Sequence, residues 1–390
     1  MITPEVPRAA TGDHLRERHP HPHPGVTTSG NKVVKSSFLQ NQKEQGLGTM
    51  KGLVPGSKMK GVDICGVRYN CYIIRADLGY YLKTTDLRQP SDLVLYDLHD
   101  SCMGDHYVGH INEYIYIIKD SSYRKVKNLS TDSRSECKEI HPKYHFGDYY
   151  FSFRGKFYII FKDKNIYKTT SKLTSPDCQE YPLSEDFSDG LYYWGRALHF
   201  YIMRMSSSWV VQCIKGFNLS SGNRANSASV HKDVINFLPG GLSITKGEAF
   251  GRWEMIKSVK DESDSTKNLD ILIKRMVGYN KVKMREITHN WRVDISCPVN
   301  PTKLAALIAK VQFSLSAEYG GLYVNTEKES WNEGSNEVEK IKLELQPYSN
   351  VYMWQYRLGL GEDQVFFCRD IKINYDSNPP TEIPLPCAEE

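Results

Sequence analysis

The chain has no run of about 18 apolar residues, so no transmembrane helix is expected. GxSxG, HExxH, the Walker loop and the CxxC pair are all missing, and the fragment Gly359-Leu360-Gly361 is too short to be a dinucleotide fingerprint. These absences leave catalysis without a candidate residue, and neither an enzyme activity nor a cofactor is expected. The 9 cysteines form an odd set without paired spacing, which points to neither a disulfide framework nor a zinc site and makes a reduced compartment the simpler home. Cys368 reads as a buried strand cysteine. The net charge is only +4, with both signs interspersed, so there is no nucleic-acid footprint. The first residues, MITPEVPRAATGDHLRERHPHPHPG, lack the apolar core of a signal peptide. A soluble protein is expected, cytoplasmic or released by an unconventional route and membrane-associated when oligomerised. The sequons at Asn128 and Asn218 then carry little weight, and Met50 is an alternative start to Met1.

Aromatic residues are abundant: 25 Tyr, 14 Phe and 6 Trp, with Pro and Gly scattered throughout. That composition favours an all-β protein. Residues 1–60 are polar without apolar periodicity and are expected to be a disordered tail, His19, His21 and His23 included. The Pro-rich end, 377–390, is expected to be extended.

From Gly61 the chain repeats. GVDICGVRYNCYIIRAD, GDHYVGHINEYIYIIKD, GDYYFSFRGKFYIIFKD and GLYYWGRALHFYIMRMS begin at Gly61, Gly104, Gly147 and Gly190, 43 residues apart each time. Each unit reads as four short strands, and four strands per repeat is the pattern of a propeller blade. A β-trefoil is the rival, but four matching units do not suit threefold symmetry. The expectation is a four-unit small β-propeller over 61–250. The four glycines are expected to occupy equivalent positions ahead of each first strand. The paired tyrosines Tyr149, Tyr150, Tyr192 and Tyr193 are the candidate ligand-binding residues, because exposed aromatics of a repeat domain stack on sugars or fill partner pockets.

Beyond Arg252 the strands lengthen, several alternating over ten or more residues, and 251–376 reads as an elongated twisted sheet. Within it, Trp291, Val293 and Ile295 alternate with Arg292, Asp294 and Ser296, while Val311, Phe313 and Leu315 alternate with Gln312, Ser314 and Ser316. Between these arms lies an apolar tip that includes Leu304, Leu307 and Ile308. Two amphipathic arms fit either a surface hairpin of a β-sandwich or a segment lining a membrane pore.

The stretch from Trp253 to Ile373 resembles the pore-forming module of the aerolysin and epsilon-toxin group of β-pore-forming proteins. The opening EMIKSVKDESDS, the arms WRVDIS and VQFSLS, the strand TEKESWNEGSNEVEKIKLEL and the closing LELQPYSNVYMWQYRLG carry the resemblance. It implies an aerolysin-like domain beside a receptor-binding domain, a homo-oligomeric ring on a membrane, and an amphipathic hairpin contributed by each subunit to a barrel. On this reading the partners are a membrane or a cell-surface glycan or protein receptor, with no nucleic acid. The alternative is a non-enzymatic propeller lectin or protein-binding module with a β-sandwich partner that never inserts.

Overall fold

The computed structural model describes residues 58–288, 291–293 and 332–381, apart from 207, 209, 223 and 248. The architecture is all-β with a few short helices. Each 43-residue unit becomes an antiparallel sheet whose strands pair in chain order. The first holds β1 (Val62–Val67), β2 (Asn70–Arg75), β3 (Tyr80–Thr84) and β4 (Val94–Asp97). The second holds β5 (His106–Gly109), β6 (Ile115–Lys119), β7 (Ser122–Val126) and β8 (Lys138–Glu139). The third holds β9 (Tyr149–Phe153), β10 (Lys156–Phe161), β11 (Ile166–Thr170) and β12 (Gln179–Pro182). The fourth holds β13 (Tyr192–Arg196), β14 (His199–Met205), β15 (Val211–Gly216) and β16 (Arg224–Ser229).

The first strands of the four sheets touch in cyclic order: β1 meets β5, β5 meets β9, β9 meets β13, and β13 meets β1. Glycine makes this approach possible. Gly66, Gly109, Ser152 and Gly195 sit at matching places in these strands, and a Cβ on any of the three glycines would collide with the next strand's carbonyl. Apolar clusters fill the wedges between neighbouring sheets, such as Tyr107 and Ile117 against Ile74, or Phe187 and Phe200 against Phe153.

Three of the four unit-opening glycines share one contact. The backbone N–H groups of Gly104, Gly147 and Gly190 donate to the hydroxyls of Tyr107, Tyr150 and Tyr193 at 2.9, 3.0 and 2.9 Å. Each hydroxyl donates onward to a carbonyl of the preceding connector, at Cys102, Tyr144 or Phe187. Gly61 differs, because its unit has Ile64 in place of the tyrosine. It adopts φ +78°, a left-handed conformation glycine reaches without strain.

After the fourth sheet the chain forms two short helices, α1 (Lys232–Phe237) and α2 (Gly241–Thr245). The chain then enters a five-stranded sheet of long strands: β17 (Ala249–Lys260), β18 (Lys267–Tyr279), β20 (Ser335–Leu345), β21 (Asn350–Leu360) and β22 (Asp363–Asn374), in the order β17-β21-β22-β18-β20. β20 pairs with β18 along its whole length, from Lys267↔Leu345 to Val277↔Ser335, while β18 meets β22 only at Gly278 and Tyr279. The β18–β20 ribbon therefore leaves the backbone ladder of its neighbours before Gly278 but stays packed against them. Ile271 and Ile273 on it pack against Val351 and Met353. The buried Arg275 guanidinium pairs with Glu339 at 2.7 Å and donates to the Arg369 carbonyl, tying the ribbon to β22.

One sequence expectation is corrected here. KVKMREIT reads as the start of a strand, yet it forms α3 (Lys281–Thr288). The Asn280 side chain accepts from the N–H groups of Val282 and Lys283, a helix start, and Met284 and Ile287 recur at helical spacing into the core. A two-residue strand, β19 (Arg292–Val293), then adds to the first sheet in parallel with β4. Among the described residues, no helix is long and apolar enough to cross a membrane.

Candidate binding clefts

The four tyrosines expected to bind a ligand are placed elsewhere. Tyr149, Tyr150, Tyr192 and Tyr193 are all buried, at 3, 5, 0 and 1% exposure. Adjacent strand residues face opposite ways, so one of each pair could have faced solvent had the strand been covered on one side only. β9 and β13 are first strands with neighbours on both faces, so both residues are enclosed. Tyr150 and Tyr193 serve as the glycine-binding hydroxyls described above. The Tyr149 hydroxyl donates to the carbonyls of Gly190 and Leu191, each at 3.1 Å, with the Lys162 ammonium 5.1 Å from its ring centre.

Tyr149 and Tyr192 open their strands at the place where β1 and β5 carry Asp63 and His106. Lys58 closes this end, its ammonium 2.9 Å from Asp63 and 2.7 Å from the His106 Nδ1. Burial raises the Asp63 carboxyl, and the Lys58 charge offsets part of that. Burial, with Lys58 and Lys60 beside it, holds the His106 imidazole well below its ordinary value. Lys58, Asp63, His106 and the Tyr149 hydroxyl are thus engaged in structure, while the buried Tyr192 hydroxyl has no hydrogen-bond partner among the described residues.

Of the insertion candidates, Trp291 is buried among the first sheet, α1 and the long sheet. Its indole N–H donates to the Asp233 carbonyl at 3.1 Å, and its ring meets Phe237 edge-on. Val293 belongs to β19. Ile295, Leu304, Leu307, Ile308, Val311, Phe313 and Leu315 lie outside the described residues, as do 1–57 and 382–390.

Aromatic rings also run across the sheets from the core outward, with Phe153, Tyr167 and Tyr81 buried, Tyr158 and Tyr201 half-buried and Tyr181 exposed. Across the third sheet Phe153, Tyr158, Tyr167 and Tyr181 stack in a ladder, with centroid separations of 4.3, 6.0 and 5.4 Å and interplanar angles of 22, 30 and 29°. The first sheet has the corresponding ladder Tyr72, Tyr81 and Tyr96. The third-sheet ladder lines a cleft of about 320 Å³ against the fourth sheet, with Gln179, Asn218 and Lys156 supplying polar groups. A second cleft, about 510 Å³, lies where the fourth sheet meets the first, lined by Trp194, Tyr201, Arg88, Arg196 and Lys215. Half-buried aromatic faces beside amides and cations suit a polar ring-shaped ligand. Tyr72, Tyr158 and Tyr201 share a strand face with Ile74, Ile160 and Met203 two residues on, and they pack at the margins of the same wedge cores.

The sequons are also explained locally. Asn128 and Asn218 accept from the N–H groups of Ser130 and Ser220 at 2.8 and 2.9 Å, closing Asx turns, and those serine hydroxyls meet Tyr81 and Tyr167.

No family model matches the chain, and no curated protein matches it. Among solved structures, the 2S albumin seed protein from Dolichos aligns with 44% of this chain and 94% of its own, at 10% identity and a TM-score of 0.30. So low a score supports no inference about fold or function.

Proposed function

We propose that the chain is a non-enzymatic, membrane-permeabilising protein. Its four sheets act as a small four-bladed β-propeller that binds a cell-surface saccharide in the inter-sheet clefts. Its long-stranded sheet acts as an aerolysin-like module that assembles into a homo-oligomeric ring. The observation carrying this reading is the β18–β20 ribbon. Two long amphipathic strands pair continuously from Lys267↔Leu345 to Val277↔Ser335, and the chain between them contains both alternating arms of the insertion candidate. Drawn out as a hairpin, that segment would lengthen a ribbon already in antiparallel register. Closed barrels are the β-structures that satisfy every backbone group in lipid, so hairpins from several copies would be needed. Dye release from liposomes and cells, coupled to a gel that detects detergent-resistant oligomers, tests the proposal. Absence of both release and oligomers would refute it.

A second reading has its own support. β19 and Trp291 are docked against the first sheet and α1, so the segment's start serves the packing between head and long sheet. A saccharide-binding head with a partner sheet that never inserts would show glycan binding without dye release.

A further inference from the structure

We propose that the cleft between the fourth and first sheets binds an acidic saccharide, sulfated or carboxylated, and selects it by charge. The inference rests on the saccharide-binding reading above and assigns a ligand class to one of the two clefts. At about 510 Å³ the cleft lies within the range of small-molecule sites. One wall is aromatic. Trp194 is buried and stacks on half-buried Tyr201 at 5.7 Å and 12°, which fixes the tyrosine ring as a platform for a sugar face.

The charge around that platform is unbalanced. Arg88, Arg196 and Lys215 line the cleft with a single carboxylate, Asp86. Asp86 is engaged by Arg88 at 3.1 Å. Arg196 is held by two neutral acceptors, the carbonyls of Thr85 at 3.0 Å and Arg68 at 3.2 Å, which orient the guanidinium and leave its charge uncompensated. Among the described residues no carboxylate pairs with Lys215. The two cysteines in the wall do not cancel these cations. Burial pushes the Cys71 thiol up to about 11 and the Cys213 thiol up to about 12, so both stay neutral near pH 7 and neither is a nucleophile. An aromatic platform ringed by surplus cations favours a sugar bearing sulfate or carboxylate over its neutral counterpart.

The test is calorimetric titration of the full chain with a heparin-derived tetrasaccharide, sialyllactose and lactose, beside a printed array of neutral glycans. At least one acidic sugar should bind tenfold or more tightly than lactose, with the advantage shrinking as NaCl rises from low to high concentration. The two acidic probes separate sulfate from carboxylate recognition. The double variant Arg88→Gln/Lys215→Gln should lose at least tenfold in that affinity, while Tyr181→Ala, in the other cleft, should retain it. If a charge-removing variant shifts the melting curve, Lys215→Gln alone supplies the comparison. Equal binding of acidic and neutral sugars, or acidic-sugar affinity unmoved by the Gln variants, overturns this inference and leaves the saccharide reading in place. Absence of binding to every acidic and neutral glycan overturns both.

Discussion

The backbone N–H of His231 donates to the carbonyl oxygen of Leu87 at 2.9 Å, joining the connector after the last sheet to the first sheet. The same bond recurs around the molecule. His99 donates to Leu129, His141 to Leu173 and Ser184 to Leu219, each at 2.8 Å. At each place the donor residue also caps a short helix, its side chain accepting from the backbone two residues on. Each connector thus clips onto the next sheet's loop, and His231 completes the circuit.

Leu87 and Leu129 are equivalent under this scheme, both buried, at 4 and 1% exposure. Leu87→Ala and Leu129→Ala should each lower unfolding stability by about 2–5 kcal/mol, the usual cost of truncating a buried leucine. Urea denaturation of both variants measures it. Matching losses support a closed circuit, whereas a mild Leu87→Ala beside a severe Leu129→Ala would mean the seam at His231 is only loosely shut.

The tyrosine hydroxyls that hold Gly104, Gly147 and Gly190 each bridge a buried N–H and a carbonyl. Tyr107→Phe, Tyr150→Phe and Tyr193→Phe keep the ring and strand both backbone groups, so each should cost about 1–3 kcal/mol. The first unit has no such hydroxyl, and Ile64→Val there should cost less, about 0.5–1.5 kcal/mol. Denaturant midpoints of the four variants make the comparison.

What could be read from the residues follows from where periodicity is strong. The 43-residue interval located four four-stranded sheets, because Gly–aromatic openings and paired apolar cores recur without drift from Gly61 to Met203. Long alternation likewise marked 251–376 as a region of long strands, and β18, β20, β21, β22 and all but the start of β17 lie within it. Burial was misread at Tyr149–Tyr150 and Tyr192–Tyr193, since alternation along one strand does not tell whether a second sheet covers its other face. Lys281–Thr288 was misread because its charged positions mask a helical Met284–Ile287 spacing. The ring-closing leucines were invisible: Leu87, Leu129, Leu173 and Leu219 sit in polar loops of unequal length, and only their shared burial marks them.

Alkaline pH should destabilise the fold early. Burial pushes the thiols of Cys71 and Cys213 up to about 11 and about 12, and the hydroxyls of Tyr72 and Tyr150 up to about 12. In the unfolded chain these groups ionise near about 8.5 and 10. Folded values raised above unfolded ones mean the stabilisation is complete below about pH 8.5 and is lost as pH climbs toward 12, because the unfolded chain releases protons the folded one keeps. Urea midpoints at pH 7, 9 and 10.5 should fall in that order, and a flat series would contradict it. Alkylation mapped by mass spectrometry should mark exposed Cys137 well before Cys71 or Cys213.

The insertion proposal makes its sharpest demand at β19. Arg292 lies opposite Val94 in the parallel pair that fastens the segment's start to the first sheet. If the segment leaves to line a pore, that pairing must break and Trp291 must come out of its site against Phe237. A Val94→Cys/Arg292→Cys disulfide should hold it in place, so the oxidised protein should bind cells at parental levels yet release no dye, and reductant should restore release. Phe313→Lys, on the arm expected to face lipid, should also suppress release, since a lysine near the bilayer midplane costs about 2–4 kcal/mol. Gln312→Lys, on the opposite side of the same arm, should leave release intact and alter ion selectivity in planar bilayers. Should the oxidised pair and Phe313→Lys both permeabilise membranes as well as the parent, this segment is not the pore and the non-inserting reading holds.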